Sequence, residues 1–133
     1  MHEIKLNELA DDKALTQAVV QITQMLGMYQ AELARVLGLQ CADIGDFASG
    51  KKRLQTGSTE WAKARQFVTL YERLYQHFGG DAVAMYHWLR TTHPQLAASP
   101  LLLMVDEGRL DAVVAWFDTA ATWKPQNADK EKH

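Results

Sequence analysis

QAELARVLGLQCADIGDF, Gln30 to Phe47, is the stretch whose reading decides the fold. Its apolar positions fit two short helices joined by a tight turn. Leu33, Leu37, Ile44 and Phe47 would fill the wedge between the two helices and the rest of the chain. Ala34 stands where the helices cross closely, which calls for a small side chain. Gly38 permits the sharp turn, because it takes a positive φ with no Cβ penalty. Leu39 completes the turn. The pattern predicts one helix over about 30–37 and a second over about 41–48. Such a helix-turn-helix presents its second helix to the major groove in proteins that bind DNA.

The reading positions of that second helix are less persuasive than its scaffold. Its outward residues are Cys41, Ala42, Gly45 and Asp46, with Asp43 nearby. Bases are usually read by Arg, Lys, Asn or Gln, and here only Gln40 stands at the helix start. Lys51, Lys52 and Arg53 follow directly and could hold phosphates, which positions a protein without reading sequence. The candidate DNA contacts are therefore Gln30, Gln40, Cys41, Ala42, Lys51, Lys52 and Arg53. From Gly27 to Thr56 there are four basic residues (Arg35, Lys51, Lys52, Arg53) and three acidic ones (Glu32, Asp43, Asp46), a net of +1. DNA binding on that charge would be weak and salt-sensitive.

Outward from the motif, the same helical spacing recurs. Leu15, Val19, Ile22 and Leu26 mark a preceding helix, with Asp11 or Asp12 as its cap and Gly27 as its end. After the basic loop KKRLQTGST, Ser58 or Thr59 caps a long helix over about 59–78, ended by Gly79-Gly80. Its stripe of Trp61, Ala64, Val68, Tyr71, Tyr75 and Phe78 is widened by Phe67, Leu70 and Leu74. That is broader than one packing contact requires, so either the surplus lines the core or it forms a dimer face. Asp81 caps the next helix, expected to stop just before Pro94. Ser99-Pro100 opens a short helix closed by Gly108, and a last helix is expected over about 109–122. No strand is expected. The fold class is all-α: a compact multi-helix domain in four regions, 12–56, 57–80, 81–123 and a polar tail, 124–133.

Composition narrows the function classes. The 133 residues are 47% hydrophobic and 23% charged, with a net charge of -2, so no overall basic field draws the chain to nucleic acid. A single cysteine, Cys41, forms no internal disulfide. No apolar run approaches the roughly 20 residues of a membrane span, and the polar N-terminus has no signal-peptide stretch. The expected location is the cytoplasm, with no membrane contact.

Enzyme chemistry finds little footing. Gly45 to Lys52, GDFASGKK, matches a phosphate-loop spacing, but Lys52 stands where Ser or Thr is required, and its first glycine lies inside a helix. His2, His77, His87, His93 and His133 have no partner at metal-ligand spacing. Asp106, Glu107 and Asp111 read as a solvated face. No catalytic residue, metal or cofactor is expected.

The C-terminal half adds a resemblance. AMYHWLRTTHPQLAASPLLLMVDEGRLDAVVAWFD, Ala84 to Asp118, resembles the toxin-binding domain of Xre/MbcA/ParS-type antitoxins. The features that carry it are Trp88-Leu89, the loop with Pro94 and Leu96, Pro100 to Leu103, Gly108, and Val113 to Phe117. Where that family commonly has a glycine in the loop, this chain has Ala97-Ala98. In the family the domain follows an Xre-like helix-turn-helix, the order found here. The resemblance implies a RES-domain, NAD-consuming toxin as partner, a homodimer, and repression through operator DNA. Arg109, Trp116, Trp123 and Lys124 are the candidate toxin anchors, since aromatic residues and Arg dominate such contacts. The alternative is a stand-alone regulator or scaffold with no toxin.

Overall fold

The structure, a computed structural model, describes residues 3–119. Among these, regular structure is helical throughout, apart from one isolated bridge between His93 and Ala98. A 3-10 turn (Leu6–Glu8) precedes α1 (Asp12–Met25), α2 (Gln30–Leu37), α3 (Cys41–Ser49), α4 (Thr59–Phe78), α5 (Ala82–Arg90) and α6 (Pro100–Val105). A further helix, α7, covers 110–119 of the described residues.

Local side chains set the helix starts. Asp11 accepts the Ala14 N–H at 2.8 Å, Ser58 that of Trp61 at 3.1 Å, and Asp81 that of Ala84 at 3.1 Å. Ser99 does the same for Leu102 at 3.3 Å, with Pro100 at the first helical position. The helix ends are set by backbone. Gly38 lies at φ 75, and Leu39 N–H donates to the Ala34 carbonyl at 2.8 Å, closing α2.

α4 is the central element. It packs against α1, α2, α5 and the 3-10 turn, while α6 bridges α5 and α2. A helix with that many neighbours needs a wide apolar face. Ala64, Phe67, Val68, Leu70, Tyr71 and Leu74 are buried, and Trp61, Tyr75 and Phe78 are half-buried against the same core. The chain's own core thus takes up the surplus of aromatics on α4, which removes the sequence argument for a dimer face there.

One helix is shorter than its sequence suggests. Pro94 alone would let the stretch after Asp81 stay helical almost up to it, yet α5 ends at Arg90 and Thr91 is extended (φ -102, ψ 136). The cause is His93. Its Nε2 lies 2.9 Å from the Trp88 carbonyl, and its ring stacks on Trp88 with centroids 5.0 Å apart. Meanwhile its N–H donates to the Ala98 carbonyl at 3.2 Å. A side chain that caps the helix from beyond its end requires the intervening residues to unwind.

Candidate nucleic-acid and partner surfaces

α2 and α3 pack on each other and on the rest of the core as the apolar pattern requires. Leu33, Ala34, Leu37, Ile44 and Phe47 are all buried. Gln40 N–H donates to the Asp43 carboxylate at 3.0 Å, which caps α3 and ties up one of its acids. Gln30, Gln40, Cys41 and Ala42 are exposed on this helix pair. The thiol of Cys41 is free and exposed.

The basic loop is held rigidly. Gly50 lies at φ 82 and ends α3, with Lys51 N–H and Lys52 N–H both donating to the Asp46 carbonyl at 2.9 and 3.2 Å. That left-handed residue turns the chain back along α3. Further along, Leu54 is buried and its N–H donates to Thr16 Oγ1 at 2.9 Å, pinning the loop to α1.

Most of the positive charge here is answered within the chain. Lys52 Nζ sits 3.0 Å from Asp43 and 3.6 Å from Asp46. Arg53 pairs with Asp12 at 3.3 Å, and Arg35 with Asp106 of the α6 region at 3.3 Å. Lys52 and the Gln40 N–H hold the Asp43 carboxyl below the usual carboxylate range, and Asp43 in turn raises the Lys52 ammonium. These pairs are exposed and add little to stability, but they decide which cations remain available. Among the described residues of the segment, Lys51 alone of the cations forms no ion pair. Counting charges along the sequence could not have separated Lys51 from its neighbours.

The C-terminal anchors fare differently. Arg109 is exposed, and its Nε donates to Asp111 at 3.1 Å. That contact, followed by the Ala112 N–H, lowers the Asp111 carboxyl pKa. Trp116 is half-buried in an aromatic cluster, 5.2 Å from Trp88, 5.0 Å from Phe117 and 5.8 Å from His77 by ring centroids. Trp123 and Lys124 lie outside the described residues, as does the polar tail.

Sequence reading missed three residues of this half. Val83 is 66% exposed, Leu102 52% and Tyr86 43%, the first and last being i and i+3 on α5. Exposed apolar side chains mark an interface where they join into a contiguous patch, and Val83 and Tyr86 lie one turn apart on α5. Nothing in the periodicity singled them out, because helical spacing alone does not say which apolar residues a neighbour will cover.

With α5, its capped loop, α6 and α7 thus arranged, comparison with known proteins defines the class. Residues 73–118, about a third of the chain, match a toxin-binding domain of the antitoxin type. The matching family model is the antitoxin Xre/MbcA/ParS C-terminal toxin-binding domain, which this segment resembles. The match starts within α4 and ends in α7, and it bears out the resemblance drawn from residues 84–118. No curated protein matches the chain. Among the described residues, no group of His, Cys, Asp or Glu could hold a metal ion, and no helix is long and apolar enough to cross a membrane.

Proposed function

We propose that this chain is the antitoxin of a type II toxin–antitoxin pair that neutralises a RES-domain, NAD-consuming toxin by direct binding in the cytoplasm. The observation that carries the reading is the family match over 73–118. Arg109, Trp116, Trp123 and Lys124 serve as toxin contacts, joined by the exposed Val83, Tyr86 and Leu102. The α2–α3 pair and the 51–53 loop bind operator DNA from a homodimer. Support for this second role is the exposed face of α3 beside a rigid basic loop. With so few unpaired cations, such binding is weak per subunit and falls steeply with salt, which is why a dimer is part of the proposal.

The decisive experiment is co-expression with a RES-domain protein encoded beside this gene. The expected result is a stable complex and restored NAD levels in the host. Trp123→Ala, or truncation after Thr122, is expected to weaken capture while leaving the thermal melt of the free protein unchanged. Undiminished co-purification would remove the tail from the interface. Absence of any complex with the neighbouring RES-domain protein would overturn the toxin assignment.

A further inference from the structure

The proposed DNA-binding face carries an electrostatic contradiction. α3 reads CADIGDFAS and contains two aspartates and no basic residue. Phosphates brought against it would meet Asp43 and Asp46 first, at unfavourable energy. Yet both carboxylates are within reach of one ammonium, that of Lys52, at 3.0 and 3.6 Å. Lys52 is placed there by the left-handed Gly50, which folds the following residues back along the helix that has just ended. Burial of Leu54 and its bond to Thr16 fix the other side of the loop. Adjacent Lys51 has no carboxylate partner among the described residues and lines an open groove together with Asp43, Lys52, Arg53, Gln55 and Glu60.

We propose a division of labour between these neighbours: Lys52 is a positioning residue that shields the aspartates of α3, and Lys51 is the contact to duplex DNA phosphate. The proposal rests on the DNA-binding reading above and deepens it. The raised ammonium of Lys52 and lowered carboxyl of Asp43 agree with a standing pair, but the geometry carries the argument. A lysine already committed to two carboxylates releases no phosphate counterion when DNA docks, whereas a free one does.

Counterion release makes the two roles separable. Each phosphate contact contributes about 0.9 to the slope of log affinity against log salt. Binding of the full-length protein to a short duplex of mixed sequence is measured over a range of salt. Lys51→Met is expected to weaken binding and flatten the slope by about 0.9, as removal of a single phosphate-neutralising cation requires. Lys52→Met is expected to weaken binding several-fold with the slope unchanged, because the unshielded aspartates repel DNA while Lys51 still neutralises its phosphate. Adding Asp43→Asn and Asp46→Asn to Lys52→Met should then restore wild-type affinity. An amide oxygen at position 43 can still accept the Gln40 N–H, and thermal melts check that each variant is folded.

A flattened slope for Lys52→Met, or a triple variant as weak as Lys52→Met alone, would overturn the shield. A wild-type protein with no measurable binding at low salt would instead reject the DNA-binding reading, and the shield with it.

Discussion

Arg90 of α5 closes the end of α1 at Gly27. Its Nη2 donates to the carbonyls of Gly27 at 3.0 Å and Leu26 at 3.1 Å, while Nη1 donates to the Tyr86 carbonyl at 3.0 Å. The guanidinium carbon lies 3.6 Å from the centroid of the Tyr86 ring, in a cation–π arrangement. Carbonyls at a helix C-terminus lack intrahelical partners and carry the negative end of the dipole. A guanidinium spreads its donors over a rigid planar fork that reaches carbonyls on both helices while stacking on the Tyr86 ring, a geometry that the compact ammonium of a lysine does not reproduce. The contact joins the antitoxin-like segment to the end of the first helix.

Arg90→Ala is therefore expected to destabilise the fold by about 1–2 kcal/mol, toward the low end of the roughly 1.5–3 kcal/mol for hydrogen bonds to charged groups because the site is partly exposed. Arg90→Lys should recover only part of that loss. Urea unfolding checks both, and equal stability of all three proteins would show that solvent replaces the clamp at no cost.

Ala97 sits at φ 57, in the left-handed region, and among the described residues it is the only non-glycine there. Its N–H donates to the His93 carbonyl at 2.9 Å within the loop that closes on His93 and Ala98. A Cβ in this conformation costs roughly 1 kcal/mol or more, partly offset by the extra unfolded-state freedom of glycine. Ala97→Gly should raise stability by about 0.5–1 kcal/mol. A fall in the denaturation midpoint would mean the loop favours alanine for another reason.

Thr16 serves two backbones at once. Its Oγ1 donates to the Asp12 carbonyl at 2.6 Å and accepts the Leu54 N–H at 2.9 Å. Thr16→Val keeps the shape but leaves a buried N–H without a partner, at a cost of about 1–3 kcal/mol. Faster hydrogen exchange should appear at Leu54 and spread through the 51–55 loop. Unchanged exchange there would show that Leu54 packing alone holds the loop.

Tyr71 is fully buried, and its hydroxyl lies 3.7 Å from Met25 Sδ. Burial, then the nearby Tyr75 and Glu3 charges, pushes its phenol up from 10 to about 12. A folded-state pKa above the unfolded value favours the folded state below pH 10, and that contribution is lost as pH rises from 10 to about 12. Tyrosinate absorbance should show a late-titrating component that coincides with alkaline unfolding and is missing in Tyr71→Phe. Titration of every tyrosine together near pH 10 would contradict this.

The helices were legible in the sequence because their signals are local. Asp11, Ser58, Asp81 and Ser99 each cap a helix through the N–H three residues on, and Gly38, Gly50 and Gly79 each end one with a positive φ. The bounds of α2 and α4 fall where spacing and punctuation place them. The early end of α5 was not legible, because it depends on the His93 ring folding back onto Trp88. A proline-based stop rule carries no information about that contact.

What the sequence determined by itself was an all-α chain with an α2–α3 scaffold and an antitoxin-like C-terminal segment, since periodicity, caps and turn glycines act over a few residues. Which charges and apolar side chains remain available was decided only by the tertiary structure. Lys51, Lys52 and Arg53 are equivalent in a composition count. Yet Lys52 reaches back to Asp43, Arg53 reaches across to Asp12, and Lys51 is left without such a partner among the described residues. Likewise α4 commits its aromatic surplus to neighbours drawn from both halves of the chain, while Val83, Tyr86 and Leu102 keep large exposed surfaces. Coulomb and packing energies depend on distance in space, and residues far apart in the chain become neighbours only when it folds.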